Sequence, residues 1–126
     1  MSVVALRNRL TQDDIRRLVK GENEEVRASA AQKICRRMDA ANLTDAERGA
    51  ARDILDLIAR DAAELVRRAM AVTLKQSRNL PRDIAVKLAM DVDAVALPVL
   101  ESSPVLEDED LLRVLEHAGS GKRCAI

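Results

Sequence analysis

Hydrophobic residues recur along this chain at the spacing of α-helices, and they recur in pairs of segments. Val26, Ala30, Ile34 and Met38 stand four residues apart, which places their side chains on one face of a helix. The apolar segment before them ends at Gly21, a residue type that stops helices. No segment shows the alternation of period two that is typical of a strand. The pattern therefore predicts an all-α protein built from helix pairs.

The breaks between the apolar segments set the expected helix boundaries. We expect helices at about residues 12–20, 45–60, 81–90 and 92–102, two more around 26–38 and 65–74, and a last one that starts within the acidic run 107–110. Thr44 and Glu47 have the spacing of a capping box, and Asn23 is expected to cap the helix that follows it. The chain therefore carries start signals for at least two of these helices.

Aspartates and prolines stand at the remaining breaks. Asp61 is expected to cap the helix that follows it. Asp91 or Asp93 is expected to cap the helix at about 92–102. Pro81 suits the first turn of a helix, because its missing N–H is not needed there. Pro98 falls inside a predicted helix, where the lost hydrogen bond predicts a kink.

A two-helix unit repeats along the chain, and each copy is an apolar helix, a tight turn and a second helix. The first three copies begin near Ile15, Ile54 and Ile84, and a fourth begins near Asp110. Such self-similarity is the sequence signature of a helical-repeat array. We therefore expect residues 1–126 to form one helical-repeat domain, the N-terminal portion of a longer array whose next helix is cut short at the chain end.

The best copy of the unit is the segment RDAAELVRRA at residues 60–69, and it resembles HEAT and armadillo-type repeats. The resemblance implies an α-α superhelix, a right-handed stack of antiparallel hairpins. It also implies ion pairs along the stack between acidic turn residues and the arginine after a valine in the second helix. Residues of these types stand at Asp61, Asp91, Asp93, Arg27 and Arg67. Leu97 stands where the third arginine would fall.

The second half of the chain carries a more specific sequence. It consists of the segment DVDAVALPVLESSP at residues 91–104 and the helix that follows at 108–115, with Cys124, Ala125 and Ile126 matching the start of a further helix. This stretch resembles an uncharacterised alphaproteobacterial family, the domain of unknown function 2336. No catalytic residues are established for that family. The resemblance therefore implies a fold but gives no information about an activity.

Composition excludes several classes of function. The chain has 21 basic and 21 acidic residues, so its net charge near zero gives no long-range attraction for nucleic acid or an anionic membrane. It contains no Phe, Tyr or Trp, which base stacking requires. No apolar run reaches the roughly 20 residues that span a bilayer, and the N-terminus does not read as a signal peptide. We therefore expect no nucleic acid, no membrane and a cytoplasmic protein.

The candidate chemical groups are few. Cys35 and Cys124 are far apart and are expected to be reduced packing residues, and His117 has no neighbouring ligands for a metal. The segment GSGKR at 119–123 lacks the first glycine and the final Ser or Thr of a phosphate-binding loop. The acidic run 107–110 lacks the spacing of a calcium loop and is better explained as a helix N-terminus. We expect no catalytic residues, no metal and no cofactor.

Paired arginines are the remaining candidates for binding. Arg36, Arg37, Arg67 and Arg68 are expected to meet a partner, although interleaved acids favour an ordinary solvated surface. The leading hypothesis is a non-enzymatic interaction or scaffold module whose partner is another protein, with self-association through the truncated C-terminal end as a further expectation. The alternative is a regulatory module that binds an acidic or phosphorylated ligand through these arginine pairs.

Overall fold

The computed structural model describes residues 12–40 and 43–117, and these residues contain seven α-helices. In chain order the helices are α1 (Gln12–Lys20), α2 (Glu24–Ala40), α3 (Asp45–Ala59), α4 (Glu64–Leu74), α5 (Arg82–Ala89), α6 (Asp93–Ser102) and α7 (Asp108–Glu116). No strand occurs in the described ranges. The prediction of an all-α fold is confirmed.

The helices pair in the order in which they follow one another. α1 packs on α2, α3 on α4, and α5 on α6, which gives three successive hairpins. The second helices form a continuous layer, because α4 contacts α2 on one side and α6 on the other. The first helices form an outer layer, in which α3 also contacts α5. The result is a two-layer helical stack in which α2, α4 and α6 are the inner helices.

The core follows the inner layer. Ile34 of α2, Met70 of α4 and Val99 of α6 are all 0% exposed, and Ile34 lies on the apolar face that the sequence pattern predicts for its helix. Alanines such as Ala31 and Ala71 are buried beside them, and their small side chains let helices approach closely. A core without aromatic rings is therefore filled by aliphatic side chains and methionine between closely packed helices.

Two of the predicted helix starts are confirmed. Thr44 Oγ1 accepts a hydrogen bond from the Glu47 amide at 3.3 Å, and the Thr44 amide donates to Glu47 Oε1 at 3.1 Å, which is a complete capping box. Asn23 Oδ1 accepts from the Val26 amide at 2.9 Å. These bonds satisfy amides that the first turns of α3 and α2 leave without an intrahelical acceptor.

The predicted aspartate caps are wrong by one or two residues. The N-cap of α4 is Ala63, and Asp61 accepts from the Ala63 amide at 2.9 Å before the helix starts. The N-cap of α6 is Val92, while Asp93 is already the first helical residue. Neither cap residue makes a side-chain hydrogen bond, because alanine and valine have no polar side-chain group.

The two prolines also differ slightly from expectation. Pro81 is the N-cap of α5 and not a residue of its first turn. Pro98 does lie inside a helix, and α6 continues for four residues beyond it. The bend that Pro98 is expected to cause stays a prediction.

The space around Gly21, between α1 and α2, is too small for a side chain. Its amide donates to the Arg17 carbonyl at 3.0 Å, which closes the last turn of α1. A Cβ built on Gly21 would stand 2.4 Å from the Arg17 carbonyl oxygen and 2.9 Å from Arg27 Cγ. Since no glycine in the described ranges has a positive φ, steric crowding and not backbone conformation excludes a larger residue here.

A pair of glycine substitutions tests this account. Gly21→Ala is expected to lower the free energy of unfolding by about 1–3 kcal/mol, because the added methyl group forces the backbone to shift. Gly49→Ala in α3 is the control, since a Cβ there meets nothing within 4 Å. The control should raise stability by about 0.5–1 kcal/mol, the usual gain of alanine over glycine within a helix. Urea denaturation measures both, and equal effects of the same sign would contradict the assignment.

Candidate functional site

A row of ion pairs runs along the hairpin turns. Arg27 of α2 donates two hydrogen bonds to the Asp61 carboxylate, from Nε to Oδ2 at 3.2 Å and from Nη2 to Oδ1 at 3.3 Å. Arg67 of α4 binds Asp91 in the same way, from Nε to Oδ2 at 2.7 Å and from Nη2 to Oδ1 at 3.1 Å. Each pair joins one hairpin to the turn of the next. The ion pairs that the repeat resemblance implies are therefore present at two joints; we call these pairs the turn row.

The turn row is partly shielded from water. The Arg67 and Asp91 side chains are 18% and 16% exposed, and Arg67 Nη1 also donates to the Asp61 carbonyl at 2.9 Å. The hydrogen bonds that the Arg67 guanidinium donates to the Asp91 carboxylate raise the pKa of Arg67 above its ordinary value. Arg67 therefore contacts the turns of both the second and the third hairpin.

A second row of ion pairs joins the outer helices. Arg52 of α3 binds both carboxylate oxygens of Asp83 on α5, with Nη1 to Oδ1 at 2.9 Å. Arg82 of α5 binds Asp110 of α7, with Nε to Oδ2 at 2.8 Å and Nη2 to Oδ1 at 3.0 Å. We call these pairs the outer row. Leu97 cannot supply a turn-row arginine to the fourth unit, and Arg82 links α7 to the stack instead.

Sequence reasoning missed the outer row. Arg52 and Asp83 are 31 residues apart, and Arg82 and Asp110 are 28 apart, close to the spacing between successive first helices. An arginine followed by an aspartate one repeat later was the signal that could have found them. With 21 residues of each sign in the chain, that signal has many competing matches.

A groove of about 620 Å³ lies between the end of α2, the first half of α3 and the α4–α5 connection. Its floor consists of buried apolar side chains, and its rim of exposed polar ones. The floor is formed by Met38, Ala51, Leu55, Leu74 and Leu80. The rim is formed by Asp39, Arg48, Arg52, Arg78 and Asn79. We call this feature the hairpin groove, and its volume is typical of ligand-binding clefts.

Hydrogen bonds between two hairpins lie in one wall of the hairpin groove. The buried Ser77 hydroxyl donates to Asp39 Oδ1 at the end of α2, and the Asn79 amide donates to Ser77 Oγ at 3.0 Å. Leu80, 2% exposed, anchors the same loop in the core. These contacts attach the α4–α5 side of the groove wall to the end of α2.

The arginines of the hairpin groove differ in how far they are already occupied. Arg52 is held by Asp83. Arg48 approaches Asp45 only to 3.9 Å, and both side chains are largely exposed, so water screens this contact. Arg78 makes no hydrogen bond or ion pair within the described residues. Two guanidinium groups, those of Arg48 and Arg78, are therefore available to an anionic ligand.

The four arginines that the sequence singled out do not line the hairpin groove. Arg67 belongs to the turn row, and Arg37 lies 3.6 Å from the buried carboxylate of Asp14. Arg36 and Arg68 are exposed on α2 and α4. The structure thus divides each predicted pair into one arginine that holds an ion pair and one that faces solvent.

The other candidate groups are accounted for where the structure describes them. Cys35 is a free thiol with 0% exposure, and burial raises its pKa to about 12, so it is a packing residue. The carboxylates of 107–110 serve the start of α7, where Asp110 accepts from the Glu107 amide at 2.9 Å. Cys124, the segment 119–123 and the expected truncated helix lie outside the described residues.

The described ranges contain no cluster of three or more His, Cys, Asp or Glu side chains arranged to hold a metal ion. No helix in the same ranges combines the length and apolar character that crossing a bilayer requires.

Comparisons with known proteins returned no relative of this chain. A scan against protein-family models, a search of curated proteins and a search of solved structures each gave no match. The resemblance of residues 91–115 to the domain of unknown function 2336 therefore stays a prediction.

Breaking one turn-row pair should destabilise the stack. Arg67→Ala is expected to lower the free energy of unfolding by about 1–3 kcal/mol, because it leaves the Asp91 carboxylate and the Asp61 carbonyl without their charged donor. Arg68→Ala is the matched control, an exposed neighbour on the same helix, and should change stability by less than about 0.5 kcal/mol. Urea denaturation compares the two, and equal losses would show that the turn row contributes nothing specific.

The outer row should make stability depend on acid. The hydrogen bond from Arg82 holds the pKa of Asp110 below its ordinary value of 3.8. A depressed pKa means that the contribution of this pair is complete above about pH 4 and is lost as the pH falls through the lowered value. We expect Asp110→Asn to be less stable than the natural chain at neutral pH, with a difference that shrinks below pH 3.8.

Urea denaturation at several pH values measures this difference. Asp108→Asn, a change of the exposed carboxylate at the first residue of α7, is the control. If Asp108→Asn alters the pH dependence as much as Asp110→Asn, general acidity at the helix start explains the effect and the specific pair does not.

Proposed function

We propose that this protein is a non-enzymatic helical-repeat interaction module that binds a segment of a partner protein in the hairpin groove. The observation that carries the proposal is the groove itself, which is preformed, has an apolar floor and has unoccupied cationic groups on its rim. Stacked hairpins place such clefts between successive connections, and repeat proteins commonly bind along these surfaces.

The chemical groups of the hairpin groove support binding in preference to catalysis. The hydroxyl of Ser77 and the carboxylate of Asp39 are engaged with each other and with Asn79. The arginines are permanent cations and cannot act as general bases. The groups left for a ligand are hydrogen-bond donors and apolar surface, which recognise a partner without reacting with it.

A cytoplasmic location is part of this proposal. Cys35 is a free thiol inside the core, and reduced cysteines of this kind are typical of a reducing compartment. Membership of the domain of unknown function 2336 family is likewise proposed on the sequence of residues 91–115.

The alternative function, a regulatory module for an acidic or phosphorylated ligand, rests on Arg36 and Arg68. Both are exposed, and within the described residues no hydrogen bond or ion pair occupies either guanidinium. They lie outside the hairpin groove, so the two functions use different surfaces.

Selection of peptides from a random display library tests the proposal. Enriched peptides are expected to bind the natural chain and to lose at least about tenfold in affinity on Gly49→Trp, because the indole would fill the groove. Gly49 suits this change, since nothing lies within 4 Å of its Cβ position. Ser29→Trp, the same substitution at an exposed residue of α2 outside the groove, should leave binding unchanged.

Two results would overturn the proposed function. One is a library that yields no peptide bound by the natural chain. The other is a set of peptides that bind Gly49→Trp as tightly as the natural chain, which would place them on another surface. Urea denaturation of Gly49→Trp confirms that the variant is folded before its affinity is interpreted.

A further inference from the structure

We infer that the segment bound in the hairpin groove is acidic and carries an apolar anchor side chain. The inference rests on the proposed function and adds the chemistry of the partner. Three features of the groove lead to it: the charge of its rim, the character and size of its floor, and the open backbone at Gly49.

The charge of the rim favours an acidic segment. Among the described lining residues Arg48, Arg52 and Arg78 are cationic and Asp39 carries a carboxylate; Asp83 already pairs with Arg52, and Arg48 approaches Asp45 only to 3.9 Å. The Asp39 carboxylate already accepts from Ser77 and Asn79. A basic segment would therefore meet the exposed guanidinium groups of Arg48 and Arg78 and, among the described lining residues, no carboxylate that still lacks a hydrogen-bond donor. A carboxylate is the complementary group for both arginines.

The apolar floor favours a ligand with an apolar group, which a simple anion lacks. Leu43 and Pro81, both half-buried, line the groove together with the buried Leu55 and Leu74, so part of its apolar lining is open to solvent. A bound phosphate or free carboxylate would leave this apolar surface in contact with water. An aliphatic side chain flanked by acidic residues satisfies the floor and the rim together. The cavity volume of about 620 Å³ gives room for several side chains of a short peptide.

Gly49 opens the groove to the backbone of a partner. It lies within α3, where glycine is less favourable than alanine by about 0.5–1 kcal/mol. The α3 backbone does not require it, because its φ is not positive and its Cβ position is empty. The missing side chain leaves α3 accessible between Arg48 and Arg52, where a peptide backbone can approach closely.

Two display sub-libraries with equal apolar content test the inference, one rich in Asp and Glu and the other in Lys and Arg. We expect the acidic sub-library to be enriched on the natural chain and the basic one not to be. Affinity of the enriched peptides should fall at high salt, since rim charges are screened. Reversing the rim with Arg48→Glu and Arg78→Glu should weaken acidic peptides by at least about tenfold and favour basic ones.

The same double charge reversal at Arg36 and Arg68 is the matched control. If it weakens acidic peptides as much as the rim reversal does, the attraction lies outside the groove and the inference is wrong. If peptides are enriched in the groove without regard to charge, the inference is wrong and the proposed function stands. If neither sub-library is enriched, the proposed function falls together with it.

Discussion

The burial of the inner helices against one another is the interaction on which the rest of the structure depends. A single hairpin cannot cover its own second helix, because α4 needs α2 on one side and α6 on the other. Fully burying a side chain such as Ile34, Met70 or Val99 contributes about 1.5–3 kcal/mol, and all three are completely enclosed in the stack. Folding of each hairpin is therefore coupled to folding of its neighbours.

The ion pairs fix how the hairpins meet, while burial supplies most of the attraction. Apolar contact has no direction, whereas a forked guanidinium binds a carboxylate in one geometry. Arg67 contacts Asp61 and Asp91, so one side chain aligns two successive turns. Where Leu97 interrupts the turn row, Arg82 and Asp110 join the next helix on the outer side. The two rows together allow the repeats to be irregular in length and still stack.

The hairpin groove exists because the same contacts leave some groups unused. Ser77 and Asn79 donate to Asp39, and Arg52 donates to Asp83. Some polar groups of the groove rim are therefore already paired within the protein. Arg48 and Arg78 are left facing the groove above an apolar floor. The groove therefore lies at the place where the packing of one hairpin on the next is incomplete.

The sequence by itself determined the local structure and the class of fold. Helical periodicity, the Thr44–Glu47 capping box and the stop at Gly21 act within a few residues, so a single pattern reveals them. The tertiary structure decided which charges are structural and which are available. Arg67 and Arg68 are neighbours in sequence, yet only Arg67 reaches an aspartate 24 residues away. Partners at such separations are chosen by how the hairpins pack, and local sequence carries little information about that choice.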